Sequence, residues 1–346
     1  MKYNNVFIDA FGYELPPNVI TSDDLENRLE PVYQALRFNK GQLTAITGIQ
    51  ERRFWDRGFR MSTGAIMAGR KALANSAAVP RDIGMLVYGG VCRDHLEPAT
   101  ACAVADGLDI GPDTEIIDIS NACLGVLNGM VQIANAIELG HIQAGMVVSC
   151  ESARQIVEQT IDRMLATREM AIFKKSLATL TGGSGAVAVI LTHRDLSDQG
   201  HLLEGGIVKS DTRHHRLCIW GPDTGIPATM PLVMETDSVG VLENGVILGS
   251  QTYRSFRETI WQDTGPPDKI ICHQVGSTHQ RTILQALDIS AEQDFVTFPY
   301  LGNIGTVSLP ITMAIAHERG FLSPGDQVGL FGIGSGLNCI LLGVKW

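Results

Sequence analysis

The chain has 346 residues, of which 45% are hydrophobic and 18% charged, with a formal net charge of −10. This composition excludes a disordered chain, and the length suffices for two core-forming units. The negative charge argues against a general nucleic-acid surface, while leaving room for local basic patches that meet phosphate groups.

Val6–Phe11 reads as a first strand, and Ser22 or Asp23 can cap a helix running toward Leu29. Thr63–Ala74 has the apolar spacing of a helix, Ile83–Gly89 reads as a buried strand, and Thr100–Leu108 as a small-residue helix. The β-branched run Ile116–Ser120 leads through Asn121-Ala122-Cys123-Leu124-Gly125 into an amphipathic stretch, Val126–Leu139, closed by Gly140. Ala144–Ser149 is another apolar strand. Residues 152–180 are the least strand-like part and carry Met164 and Met170 among several charges. Ala186–Leu191 forms a core strand and Ile207–Lys209 a shorter one. Residues 211–235, with Met230 and Met234, show little periodicity. A helix is expected near Ser238–Asp263. Gly265-Pro266-Pro267-Asp268 then marks a turn before Lys269-Ile270-Ile271-Cys272, a short strand that ends at His273.

Seven cysteines, an odd number, are scattered through apolar runs. That suits reduced thiols in a cytoplasmic protein and not a disulfide framework. No cationic leader opens the sequence, and no apolar run reaches the ~18 residues of a membrane helix. His214-His215 and the cysteines lack a paired-ligand spacing, so no metal is expected.

Cys123 falls where the strand–turn–helix pattern turns into its helix. Unpaired N–H groups and the positive end of the helix dipole would favour a thiolate there, and a thiolate attacks acyl groups. The alternative for such a cysteine is a small buried apolar residue. A second pattern bears on that choice. Leu108-Asp109-Ile110, Cys123, Ile133-Ala134, Gly140 and the strand 144–149 occur in the same order as Leu287-Asp288-Ile289, Asn303, Ile315-Ala316, Gly320 and the strand 327–331. Cys123 to Gly140 spans 17 residues, and so does Asn303 to Gly320. Two copies of one α/β unit packed about a pseudo-twofold axis would bring both turns to one central site. His273, at the C-terminal end of a strand, is a third candidate for that site.

The combination Asn121-Ala122-Cys123, His273-Gln274 and Gly302-Asn303-Ile304-Gly305 resembles the Cys-His-Asn set of the thiolase-fold condensing enzymes, of the ketoacyl synthase III type. Gly332-Ile333-Gly334-Ser335-Gly336-Leu337-Asn338 is similar to their glycine-rich C-terminal loop, and Thr181–Ala186 to their mid-chain glycine turn. Arg93–Thr100 and Glu51–Trp55 look most like the olefin-pathway acyl-CoA condensing enzymes, the OleA type. Ordinary ketoacyl synthase III enzymes usually show His-Gln-x-Asn-x-Arg, whereas Gly276 stands at the second asparagine here.

The resemblance implies a thiolase-like α/β fold of two duplicated halves in five layers, α-β-α-β-α. Residues 1–192 would carry Cys123 and a cap insertion at about 152–180, and residues 193–346 would carry His273 and Asn303. It implies that Cys123 is acylated and that His273 and Asn303 donate hydrogen bonds. Backbone N–H groups of Cys123 and of the Gly332, Gly334, Ser335, Gly336 loop would hold the oxyanion. It also implies a homodimer in which Glu97 of one subunit reaches the other's site as the base. Met146–Cys150 and the Glu97 loop would meet their twofold mates. The implied reaction is a non-decarboxylative Claisen condensation of fatty acyl-CoA, with CoA or acyl-carrier thioesters as substrates and no cofactor. The alternatives are a malonyl-using ketoacyl synthase III and an acyltransferase that makes no C–C bond. In the resembling enzymes, segments such as 152–180 and 211–235 cap the site and line acyl channels. Met164, Met170, Met230 and Met234 either adapt such a channel to alkyl chains or fill gaps in the core.

Overall fold

The computed structural model describes residues 1–197, 200–221, 233–262 and 265–346. Strands β1 (Val6–Glu14) and β2 (Asn18–Thr21) lead into helices α1 (Ser22–Arg28), α2 (Glu30–Leu36) and α3 (Gln42–Thr47). Thr21 caps α1, one position before the expected Ser22 or Asp23. Its hydroxyl accepts the Asp24 N–H at 3.0 Å, and the Asp24 carboxylate accepts the Thr21 N–H at 2.9 Å. Next come β3 (Glu51–Phe54), α4 (Met61–Ala74), β4 (Ile83–Gly89), α5 (Thr100–Gly107), β5 (Glu115–Ile119), α6 (Gly125–Glu138) and β6 (Ala144–Glu151).

The 152–180 segment is helical, forming α7 (Arg154–Thr167) and α8 (Met170–Ser176), and is followed by β7 (Gly185–His193) and β8 (His201–Ser210). β8 is longer than the expected Ile207–Lys209. It pairs with the final strand along its length and with β1 at its start, and this tertiary pairing extends it beyond its apolar centre. Within 211–235, β9 (Cys218–Gly221) and β10 (Val233–Thr236) form a small antiparallel sheet that the pattern did not announce. The second half continues with α9 (Ser238–Thr259), β11 (Lys269–Cys272), α10 (Ser277–Leu287), α11 (Phe298–Leu301), α12 (Ser308–Glu318), β12 (Gln327–Gly334) and β13 (Asn338–Lys345). Met230 and Asp263 lie outside the described residues.

Among the described residues, nine strands join in the order β11-β12-β13-β8-β1-β7-β6-β4-β5. The two ends of this order repeat one topology. In the first half, β4 and β6 are parallel, and β7 and then β1 follow antiparallel. In the second half, β11 and β12 are parallel, and β13 and then β8 follow antiparallel. The halves meet where Phe7 and Ile8 of β1 pair antiparallel with Leu202 and His201 of β8. β5 flanks β4 in the first half. In the second, Asp294 bridges Ile270 of β11 in parallel at the matching place. The duplication read from spacing is therefore present in the strand order.

Alternation along the strands sets the layers. Val147, Val187, Val189, Leu330 and Ile340 face one central core with α6 and α12. Met146, Val148, Ala188 and Ile190 face α4 and α5 on one outer side. Ile270, Phe331 and Leu341 face α9 and α10 on the other. Five layers result. β6 is interior to the sheet and fully buried on both faces, so Met146–Cys150 cannot supply a subunit contact. The open edge of this half is β5, which is half-buried.

The α7–α8 insertion packs with α1 and α2 around Leu25, Leu29, Tyr33, Ile161, Met164 and Phe173. Met164 therefore fills core, whereas Met170 is exposed.

Candidate active site

Cys123 lies in the turn between β5 and α6. The turn closes through the Leu124 N–H donating to the Asn121 carbonyl at 2.9 Å, with Ala122 in the left-handed region at φ 45°. α6 begins only at Gly125, so Cys123 precedes the first helical residue by two positions. The open N–H of Val126 is taken by the Thr306 hydroxyl of the second half at 2.8 Å. Burial pushes the Cys123 thiol up to about 12, and nearby Cys218 and Glu151 add to this. The helix end therefore does not produce a resting thiolate, because desolvation outweighs it.

His273 continues from β11. Its N–H donates to the Phe331 carbonyl at 2.9 Å, which carries the β11–β12 pairing one residue further. Its ring Nδ1 is buried with no hydrogen-bond partner among the described residues. Burial, with His279 adding repulsion, lowers the imidazole to about 4, so the ring is neutral near pH 7.

Asn303 is held by its backbone. Its N–H donates to the Thr181 carbonyl and its carbonyl accepts from the Gly183 N–H, both at 2.9 Å. The mid-chain glycine turn thus exists to grip the asparagine turn. Buried Arg52 braces the same turn, donating to the Leu180 carbonyl at 3.2 Å and the Ser22 hydroxyl at 3.1 Å. Asn303 Oδ1 accepts from the Gly305 N–H at 3.1 Å, which leaves the amide hydrogens of Nδ2 for a ligand.

Cys123, His273 and Asn303 all line one cavity of about 1030 Å³. Its wall is mainly apolar, with Ile156, Trp220, Leu242, Val246, Ile283 and Ile333 among the lining residues. Met234 also lines it. The volume suits a long acyl chain rather than a small metabolite.

Gly332, Gly334 and Ser335 line this cavity, whereas Gly336 is not in its wall. A Cβ at Gly334 would lie 3.2 Å from Leu124 Cγ and 3.4 Å from the Cys123 nitrogen. Glycine there lets the C-terminal loop approach the backbone of the nucleophile turn. Gly276 caps α10 at φ 150°, and a Cβ there would meet the Thr47 carbonyl oxygen at 2.8 Å. An asparagine at this position would be strained, which gives the departure from the His-Gln-x-Asn pattern a steric basis.

Glu97 does not reach this cavity within its own chain. It is exposed, on the loop between β4 and α5. That loop is tied to the open sheet edge: Asp118 of β5 accepts the N–H groups of Thr100 and Ala101, each at 2.9 Å. Glu151, Cys218, His279 and Thr306 line the cavity and were not singled out from the sequence. An acidic residue closing a strand that carries no other charge was the legible signal for Glu151. The others carry none.

Residues 266–346 match the family described as 3-Oxoacyl-[acyl-carrier-protein (ACP)] synthase III C terminal. An acyl-CoA:acyl-CoA alkyltransferase from Shewanella oneidensis is 53% identical over 349 residues, with 100% of both chains covered. One from Xanthomonas campestris is 33% identical, again with 100% of each chain covered. A solved structure of Xanthomonas campestris OleA superposes with a TM-score of 0.93 at 32% identity, covering 100% of this chain and 98% of that one. Another, a cysteine-to-serine variant with bound lauric acid and lauroyl-CoA, gives 0.92 at 32% identity, covering 99% of this chain and 100% of that one. The chain belongs to the thiolase-fold condensing enzymes of the ketoacyl synthase III type, in the acyl-CoA:acyl-CoA alkyltransferase (OleA) group.

Proposed function

We propose that this protein joins two fatty acyl-CoA molecules by a non-decarboxylative Claisen condensation. The observation that carries this reading is one large apolar cavity holding a thiol, a neutral imidazole and a free amide donor. Residues 1–192 supply the nucleophile and residues 193–346 the two donors.

The Cys123 sulfur attacks the thioester carbonyl of the first acyl-CoA and expels CoA. The thiol is protonated at rest, so its proton must leave as the substrate binds: neutral His273, in the same cavity, takes it and passes it to the departing CoA thiolate, which returns the ring to its neutral form. The Cys123 N–H and the Gly332–Gly336 loop take the oxyanion, and each such donor is worth ~3–4 kcal/mol. A second acyl-CoA then loses an α-proton. Its carbonyl oxygen becomes an enolate that accepts from His273 and Asn303. The α-carbon attacks the Cys123 thioester, the C–S bond breaks, a β-ketoacyl-CoA forms, and the released Cys123 thiolate regains a proton, which balances the α-proton taken up by the base. No cofactor enters these steps.

Glu97 is the base for the α-proton, acting across a homodimer. Its exposure and its anchorage to the open β5 edge support that role, since a second copy meeting this edge would bring the loop to the other cavity. Solved variants of Xanthomonas campestris OleA include changes at one cysteine, one histidine and one glutamate, the residue types of Cys123, His273 and Glu97. The names of the two relatives at 53% and 33% identity favour CoA over carrier-protein donors, and the strain that an asparagine would meet at position 276 separates this chain from the malonyl-using pattern. Seven free cysteines, an odd number, support action in the cytoplasm.

Intact-protein mass spectrometry tests the covalent step. Exposure to one acyl-CoA should add one acyl mass to the wild type and none to Cys123→Ala. An adduct that persists in the variant would move the nucleophile elsewhere.

A further inference from the structure

Glu151 is a buried carboxyl in the catalytic cavity that the proposed reaction does not use. It ends β6, is 5% exposed, and lines the same space as Cys123 and Asn303. Its two oxygens are both engaged by one turn: Oε1 accepts the Val91 N–H at 2.8 Å and Oε2 the Cys92 N–H at 3.2 Å. Its stem lies 3.4 Å from where a Cβ on Gly305 would sit, and Gly305 is the residue that fixes the Asn303 side chain. Burial holds the carboxyl above the usual carboxylate range, with the donors at Cys92 and Val91 and the Arg93 charge pulling back.

The turn at Val91–Cys92 is where the chain leaves β4 for the Glu97 loop. It is fixed from a second direction, because the Tyr88 hydroxyl donates to the Cys92 carbonyl at 2.6 Å. The loop is pinned again at Asp94, whose carboxylate accepts the Met61 N–H at 2.7 Å and the Ser62 N–H at 3.2 Å. Its far end is pinned by Asp118 at Thr100. Between these anchors only the tip containing Glu97 stands clear, and Leu96 beside it is 66% exposed. An open tip on a clamped base has a fixed reach and direction, which suits a base delivered to a neighbouring subunit.

We infer that Glu151 is a positioning residue for the condensation half-reaction: its carboxyl clamps the Val91–Cys92 turn and thereby aims the Glu97 loop. This rests on the role proposed for Glu97, and the two fail differently. Glu151→Gln keeps the size of the side chain but places an NH2 against one of the two N–H donors, which loosens the turn.

The test separates the half-reactions. Cys123 acylation is followed by intact mass, and product formation by steady-state kinetics with a single long-chain acyl-CoA. Glu151→Gln also removes a group that helps hold the Cys123 thiol up, so acylation should be no slower than in the wild type, while kcat for condensation falls about tenfold or more with KM little changed. In the double variant with Glu97→Gln, the two losses should not add, because both act on one proton transfer. Should Glu151→Gln fail to melt cooperatively, Tyr88→Phe keeps the Glu151 carboxyl but takes the hydroxyl from the Cys92 carbonyl, and from the Cys150 carbonyl beside Glu151, and the same split is expected of it. Equal losses in acylation and condensation, or additive losses in the double variant, overturn the inference. So does wild-type condensation by a folded Glu151→Gln. If Glu97→Gln itself condenses normally, the base assignment falls instead.

Discussion

The side-chain amide of Asn338 donates to the side-chain carbonyl of Asn121 at 3.0 Å, across 217 positions of sequence. Asn121 donates in turn to Asn128 Oδ1 at 2.8 Å, and Asn338 Oδ1 accepts from the Ser210 hydroxyl at 2.6 Å. Asn338 also donates to the Ser335 carbonyl at 3.2 Å. One amide thus ties the glycine loop of the second half to the Cys123 turn of the first.

Asn338→Ala removes this tie without touching the cavity wall. Acylation of Cys123 should slow by about ten- to a hundredfold, as for a partly misplaced oxyanion donor. Thermal unfolding should show a loss of about 1–2 kcal/mol from the broken network. Stopped-flow acylation and a melting curve check both. Unchanged acylation would detach the loop from oxyanion stabilisation.

The protonation state of the site gives a pH signature. Cys123 is raised to about 12 and His273 lowered to about 4, so between those values both are neutral in the free enzyme. The thiolate fraction then grows about tenfold per pH unit through this window. Iodoacetamide should modify Cys123 slowly at pH 7, and the rate should climb from pH 7 to 9 without a plateau. A plateau near pH 6 or 7 would mean a thiolate–imidazolium pair at rest and would contradict the desolvated site.

Much of this architecture was readable beforehand, and the reasons differ by residue. Ile83–Gly89 and the helix after Cys123 are uniform apolar patterns, and local pattern dictates them. The equal spacing from Cys123 to Gly140 and from Asn303 to Gly320 reports the duplicated topology, which the sheet order repeats. β8 and the β9–β10 pair were missed or shortened because distant pairing, and not local propensity, makes them strands. The proton on Cys123 was misjudged because a helix end is visible in sequence and the depth of burial is not. Glu151 escaped notice for a similar reason: its importance lies in the Val91 and Cys92 N–H groups it meets, 60 and 59 residues away in sequence.

Gly276→Asn would restore the residue that the malonyl-using enzymes usually carry. Its φ of 150° and the Thr47 oxygen 2.8 Å from the added Cβ make it strained. A destabilisation of about 1–3 kcal/mol is expected, with no gain in activity toward malonyl thioesters. Chemical denaturation and a malonyl-dependent assay measure the two effects. A stable variant that now needs malonyl thioester would show that this one position sets the reaction type.

Glu97→Gln should leave Cys123 acylation nearly intact and lower condensation by roughly 100- to 10,000-fold, the range of a general base. The proposed trans arrangement also requires a dimer. Sedimentation at assay concentration should give twice the chain mass, and a fully active monomer would remove the reason for Glu97 to act between subunits.

Whether this protein joins two acyl chains without a malonyl unit is decided by the product mass from one long-chain acyl-CoA supplied alone. A β-keto product containing both acyl chains is expected, formed with release of CoA and without malonyl thioester or carbon dioxide. A product that appears only when malonyl thioester is added, or acyl transfer to oxygen or nitrogen with no new carbon–carbon bond, would contradict it.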